Sequence, residues 1–192
     1  MSQKNVISKP LVILDVDQTL IFATKETLIR PPDFEVFNYV VYKRPNLNEF
    51  ITRLEKSYEI AIWSSAGNDY VNSIIEQLEL NVKIQFIWGR NEATQKRQLN
   101  DYYETGNDTE YYYVKPLKKV KRKGYDLERI LIIDDSPHKS KLNYGNAIYP
   151  KPYKGETEDN ELLKLIDYLE SIKDEPNFRK IEKRNWNRNY DQ

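Results

Sequence analysis

Three apolar runs of four residues each break off at a polar side chain. They are Leu11–Leu14 before Asp15, Ile60–Trp63 before Ser64, and Ile130–Ile133 before Asp134. A run that is apolar at every position has no face to offer water, so it reads as a strand buried on both sides. Such strands lie parallel and are joined by helices packed on the sheet. Helical spacing fills the intervals. Asn46–Lys56 repeats Leu47, Phe50, Ile51 and Leu54 just after Pro45, Asp69–Leu80 repeats Val71, Ile74, Ile75 and Leu78, and Glu161–Ile172 repeats Leu162, Leu163, Leu165, Ile166 and Leu169. Ile84–Trp88 and Ala147–Tyr149 are further strand candidates. The pattern predicts an α/β domain of three layers, helix on sheet on helix, with Leu11–Leu14 near the middle of the sheet.

Composition narrows the function classes. At 192 residues the chain suits one domain, and a domain of that size buries roughly 70% of its unfolded surface, so it needs no covalent or metal staple. With 12% aromatic residues it is not a disordered chain. Thirty basic and thirty acidic residues cancel, which disfavours non-specific binding to nucleic acid or a membrane surface. There is no cysteine, which excludes a thiol nucleophile, an iron–sulfur cluster and a cysteine zinc site, and it fits a reducing compartment. His138 is the single histidine, so multi-histidine metal sites are excluded. The first ten residues lack the apolar stretch of a signal peptide, and no apolar run approaches the length of a membrane span. A soluble intracellular protein is expected, cytoplasmic, or nuclear in a eukaryote.

Two stretches interrupt the alternation. Ala23–Lys43 contains Pro31-Pro32 and then Glu35–Tyr42, which reads as a small hairpin. Gly89–Val114 is polar and tyrosine-rich, and its Gly106-Asn107 pair between Tyr102-Tyr103 and Tyr111–Tyr113 reads as a second hairpin turn. Both follow strand ends, where open α/β sheets place their sites. The polar tail from residue 174 to 192 breaks at Pro176, and its Phe178, Ile181 and Trp186 predict docking on the domain.

Asp15-Val16-Asp17-Gln18-Thr19 is the sharpest chemical feature. Two carboxylates one residue apart at a strand end can face one cavity. Asp15 then suits a carboxylate nucleophile, and Asp17 suits an acid that protonates a leaving group and afterwards activates water. The same residues are also compatible with a solvated turn. Asp134-Asp135 ends a second buried run, and adjacent acids repel unless a cation lies between them and Asp15. Oxygen ligands alone suit Mg²⁺, although an exposed turn leading into Ser136-Pro137 accounts for the pair as well. Ser64, followed by Ser65-Ala66-Gly67 and a helix, reads either as a phosphate cradle or as a plain helix cap. Lys115 is placed to neutralise a phosphoryl group. The basic run Lys118–Lys123 beyond it reads as a solvated helix face, and His138 reads as a surface residue.

In order and spacing the set resembles the haloacid dehalogenase superfamily and, more narrowly, the FCP/SCP-type, NLI-interacting-factor-like C-terminal-domain phosphatases. The resemblance covers about residues 10–172 and rests on Leu11–Thr19, Tyr42-Lys43-Arg44-Pro45 with Phe50 and Leu54, Ile60–Ala66, Tyr113–Leu117 and Ile130–Pro137. It implies a Rossmann-like, HAD-like domain over residues 1–173, with a hairpin flap, a short insertion at about 89–113 and no large cap domain. It further implies a Mg²⁺-dependent phosphatase in which Asp15 becomes a phospho-aspartate and Asp17 is the acid and base. Thr19 would brace the loop near the phosphate, Ser64 and Ser65 would contact the phosphoryl oxygens, and Lys115 would offset charge. Mg²⁺ would sit on the Asp15 carboxylate, the Asp17 carbonyl and Asp135, with Asp134 behind them on Lys115. The expected substrate is a protein phosphoserine or phosphothreonine. A nucleic-acid end, a small phosphomonoester or a non-catalytic phospho-ligand-binding module on the same site are the alternatives. Ser64 stands where close relatives carry threonine, and the insertion is longer and richer in tyrosine than is usual in the family.

Overall fold

The computed structural model describes residues 9–97, 111–143 and 145–188. Along the chain, β1 (Leu11–Leu14) leads into β2 (Ile21–Thr24), β3 (Phe34–Val36) and β4 (Tyr39–Lys43), then α1 (Leu47–Ser57), β5 (Glu59–Trp63), α2 (Asn68–Leu78) and β6 (Ile84–Trp88). The second half holds β7 (Thr94–Arg97), β8 (Tyr111–Val114), α3 (Lys118–Lys121), β9 (Ile130–Ile133), α4 (Pro137–Ser140), β10 (Ala147–Ile148) and α5 (Glu161–Ile172).

The central sheet has the order β10-β9-β1-β5-β6 with every pair parallel. β1 is its middle strand, and Leu14 lies level with both Ile62 and Ile133. The continuous apolar runs have their explanation here, because alternate residues enter different cores. Val12, Leu14, Ile60, Ile62, Leu131 and Ile133 face α1, α2 and α5, and Leu11, Ile13, Ala61, Trp63, Ile130 and Ile132 face Leu117 and Val120 around α3. The second helical layer is thin, with aromatic side chains completing the cover. Trp63 meets Trp88 edge-on at 4.9 Å and Phe86 lies 4.4 Å from Trp88.

The chain steps from β1 to one side of the sheet with β5 and β6 and later to the other with β9 and β10, so the strand order switches direction at β1. A crevice opens at the carboxyl ends of strands at such a point. Two small antiparallel sheets flank it. The predicted hairpin flap is a three-stranded sheet, β2-β4-β3, because Ile21–Thr24 also pairs with β4. Its tip carries Phe37, exposed and left-handed at φ 53°. In the insertion, β7 pairs with β8 from Thr94 opposite Val114 to Arg97 opposite Tyr111. The Gly106-Asn107 turn and Tyr102-Tyr103 predicted there lie outside the described residues.

Residues 174–188 lie against the domain. Phe178 and Trp186 are buried in the same core as α5, and Trp186 donates its indole N–H to the Tyr149 carbonyl at 3.1 Å. Among the described residues no helix is long and apolar enough to cross a membrane.

Candidate active site

β1, β5 and β9 deliver Asp15, Ser64 and Asp134 to neighbouring positions at one edge of the sheet, since each is the first residue beyond its strand. The Asp15 N–H continues the ladder to the Ile133 carbonyl at 2.9 Å. Beyond it the backbone curls tightly. The Val16 carbonyl accepts from the N–H groups of Thr19, Leu20 and Ile21, and Gln18 takes a left-handed φ of 61°. A glutamine held there stores strain of order 1 kcal/mol, a feature typical of loops fixed for function. Thr19 is buried, its Oγ1 accepts the Asp135 N–H at 3.3 Å, and its carbonyl accepts from Arg44 at 3.1 Å. Thr19 thereby ties the loop after β1 to the loop after β9.

Asp15 is buried between two ammonium groups. Lys115 Nζ donates to Asp15 Oδ1 at 2.7 Å and to Asp134 Oδ2 at 2.6 Å, and all three side chains are sealed from solvent. Lys139 Nζ donates to Asp15 Oδ2 at 3.2 Å. The backbone of Lys115 is fixed on both sides, because its N–H donates to the Lys139 carbonyl and its carbonyl accepts from Asn143 Nδ2. Burial works against the Asp15 charge, but Lys115 and Lys139 outweigh it and hold the carboxyl below the usual carboxylate range. Asp134 is moved the other way. Burial and the neighbouring Asp15 charge push it up to about 6, against the pull of Lys115.

Asp17 faces a different set of groups. Tyr70, on the first turn of α2, donates its hydroxyl to Asp17 Oδ1 at 2.7 Å, and Ser64 Oγ lies 3.5 Å from Oδ2, at the limit of a hydrogen bond. Burial raises the Asp17 pKa above its ordinary 3.8, the Tyr70 bond opposes this, and the Asp15 charge adds to it. Ser64 does not cap α2. Gly67 takes the N-cap position with no side-chain bond, while Ser64 Oγ accepts the Ala66 N–H at 3.0 Å. The Ser65 hydroxyl is buried without a hydrogen-bond partner. A cleft of about 430 Å³ opens beside Asp17, lined by Phe37 and Tyr39 of the flap, by Ala66, Gly67 and Tyr70, and by Arg90.

The residue chemistry fits a divalent cation. Asp15, Asp134 and Asp135 each offer an oxygen within 4.8 Å of the others, and Asp135 Oδ1 is buried with no hydrogen-bond partner. Hard, anionic oxygens in such a cluster suit a hard divalent cation.

All eight residues singled out in the sequence gather at this edge, in two subgroups. Asp15, Lys115, Asp134, Asp135 and Thr19 form the ionic cluster, and Asp17, Ser64 and Ser65 line the side toward α2. Three participants escaped notice. Lys139 lies four residues beyond Asp135, on a helix too short to show a period. Tyr70 reads as one more residue of an amphipathic helix. Arg44 stands in the quoted Arg-Pro segment, but its partner Asp159 is 115 positions away. His138 is exposed on α4.

A parallel α/β sheet with an Asp-x-Asp loop after its central strand, a hydroxyl after the next and an aspartate pair after the third defines the haloacid-dehalogenase-like class. Within it, the sequence profile of the NLI interacting factor-like phosphatases matches residues 10–179, and the chain belongs to that family. It is 30% identical over 168 residues to the CTD small phosphatase-like protein 2 of Dictyostelium discoideum, covering 84% of this chain and 27% of that protein. It is 29% identical over 172 residues to the phosphatase PSR1 of Saccharomyces cerevisiae, covering 85% and 36%. The chain thus spans about a third of these relatives' own length. The fold is similar to that of Fcp1, an essential RNA polymerase II CTD phosphatase, at a TM-score of 0.54 and 17% identity, over 86% of this chain and 51% of Fcp1.

Proposed function

We propose that the chain is a Mg²⁺-dependent phosphomonoesterase that works through a phospho-aspartate on Asp15. One observation carries the reading. Two carboxyl groups one residue apart are set in different surroundings: Asp15 is sealed against the Lys115 ammonium group at 2.7 Å, and Asp17 lines the open cleft, where Tyr70 donates to it at 2.7 Å. The difference supports Asp15, whose charge its lysine neighbours favour, as the nucleophile, and Asp17, whose proton burial favours, as the acid.

In the first step an Asp15 oxygen attacks phosphorus, and the bond from phosphorus to the leaving oxygen breaks. Asp17 gives its proton to that oxygen. In the second step Asp17, now a carboxylate, takes a proton from water as the water oxygen attacks phosphorus, and Asp15 is released with inorganic phosphate. Lys115 holds Asp15 in place and offsets charge on the phosphoryl oxygens, with the Ser64 hydroxyl as a further donor. Mg²⁺ held by Asp15, the Asp17 carbonyl and Asp135 would supply Lewis-acid stabilisation of the transferring group.

The proposed substrate class is phosphoserine or phosphothreonine in proteins. The CTD phosphatase names among its relatives and structural neighbours support a protein substrate, as does a site that, among the described residues, is flanked by two small sheets with no cap domain over it. The test is hydrolysis of p-nitrophenyl phosphate, followed by a panel of phosphopeptides. Turnover that stops with EDTA and returns with Mg²⁺ is expected. Turnover indifferent to chelation would contradict the metal-dependent reading.

A further inference from the structure

Lys139 occupies the position from which a cation reaches the whole acidic cluster. Its Nζ lies 3.2 Å from Asp15 Oδ2, 3.8 Å from Asp134 Oδ1 and 3.9 Å from Asp135 Oδ1. These three residues form the one such acidic group among the described residues. The two lysines divide the oxygens between them. Lys115 takes Asp15 Oδ1 and Asp134 Oδ2 from a fully buried position. Lys139 faces the other oxygen of each, and also the Asp135 oxygen that has no hydrogen-bond partner. The two also differ in freedom. The Lys139 side chain keeps 20% of its surface exposed on a four-carbon tether, whereas that of Lys115 keeps none.

A divalent ion bound by Asp15 and Asp135 needs the oxygens that Lys139 faces. Two cations a few ångströms apart inside a protein repel strongly, so the ammonium and the metal compete for the same oxygens. Of the two lysines, only Lys139 has open solvent into which to withdraw.

We propose that Lys139 is a resident competitor of the divalent cation, neutralising the carboxylate cluster in the metal-free protein and withdrawing when the metal binds. This rests on the reading that the carboxylates hold a metal, and it goes further by assigning a counter-ion exchange to one named side chain. The exchange sets a threshold, because Mg²⁺ must displace an ammonium group as well as its own water. It also keeps the metal-free chain folded, since otherwise three buried carboxylates would face one ammonium group.

The test is isothermal titration of the metal-stripped full chain with Mg²⁺ alone, together with thermal unfolding without metal, for wild type, Lys139→Met, Lys139→Arg and Asp135→Asn. Lys139→Met is expected to bind Mg²⁺ at least about tenfold more tightly than wild type. Its metal-free midpoint should fall by several degrees and recover in excess Mg²⁺, and Lys139→Arg should restore wild-type behaviour in both measurements. If Lys139→Met is unfolded without metal, its refolding midpoint in a Mg²⁺ titration reads the same coupling, and Lys139→Gln supplies a milder charge removal with the same expected direction. Equal or weaker Mg²⁺ binding by the neutral variants than by wild type overturns the proposal and leaves the metal reading intact. Binding unchanged in Asp135→Asn, or absent from every variant, overturns the metal reading and the proposal with it.

Discussion

Two buried ionic clusters sit within one domain and behave oppositely. Arg44 is sealed from solvent and meets Asp159 through two parallel bonds of 2.9 Å, from Nε and from Nη2. Its remaining bonds go to the Thr19 carbonyl at 3.1 Å and the Lys151 carbonyl at 2.9 Å. One cation meets one anion with near-complete hydrogen bonding, and the result is a brace that ties the start of α1, the loop after β1 and the segment before α5 together. At the sheet edge, four carboxyl groups face two ammonium groups, an Asp135 oxygen and the Ser65 hydroxyl lack partners, and the acids are displaced both below and above their ordinary pKa values. Burying charge is costly in both places, but only the first cluster satisfies what it buries. An unbalanced, under-satisfied cluster in a crevice marks a place built to receive something.

The sharpest break in this comparison is at Asp15. Asp15→Asn keeps shape and removes the proposed nucleophile, so activity on p-nitrophenyl phosphate is expected to fall below roughly 1% of wild type while the circular dichroism spectrum is retained. Asp17→Asn should slow turnover of a poor leaving group roughly 10²–10⁴-fold, and much less for a leaving group that needs no proton. The pH profile gives the sign. On the proposed roles, activity rises with pH as Asp15 ionises, in a range its lysine neighbours displace downward, and falls at higher pH as Asp17, displaced upward by burial, loses its proton. In Asp17→Asn the falling limb should disappear, and its persistence would assign it to another group.

The brace should respond in stability rather than in chemistry. Arg44→Met leaves Asp159 without its cation and is expected to cost about 3–5 kcal/mol, read as a large drop in the unfolding midpoint, with much of it recovered in the Arg44→Met, Asp159→Leu double variant. The smallest effect belongs to Arg53, which reaches Glu170 at 2.7 Å and Asp167 at 2.6 Å on the solvent side of α1 and α5. Arg53→Ala should cost no more than about 1 kcal/mol, because exposed pairs are screened by water and salt. Equal losses at Arg44 and Arg53 would erase the distinction between a buried and a surface pair.

What the sequence made legible followed from local rules. Strands buried on both faces announce themselves as unbroken apolar runs, and the polar residues that end them are the ones the parallel sheet collects at one edge. Asp15, Ser64 and Asp134 were therefore visible as a set before any fold was drawn. What stayed hidden depends on distance or on short elements without a period. Asp159 joins Arg44 across more than a hundred residues. Lys139 lies on a four-residue helix, too short to show a repeat. Ile21–Thr24, four residues directly behind the Asp-x-Asp loop, carries no alternation that would separate a third flap strand from the loop itself. Tyr70 was concealed because an aromatic at helical spacing is usually a core residue.

The claim that Asp15 carries the phosphoryl group is open to direct observation. Wild-type chain would be mixed with a phosphomonoester and Mg²⁺, quenched within the first turnover, reduced with borohydride and analysed by peptide mass spectrometry. Borohydride converts an acyl phosphate to the alcohol, so homoserine at position 15 is the expected product, absent when substrate or metal is withheld. Turnover that proceeds with Asp15 unmodified, or homoserine at position 17 or 135 instead, would contradict the assignment.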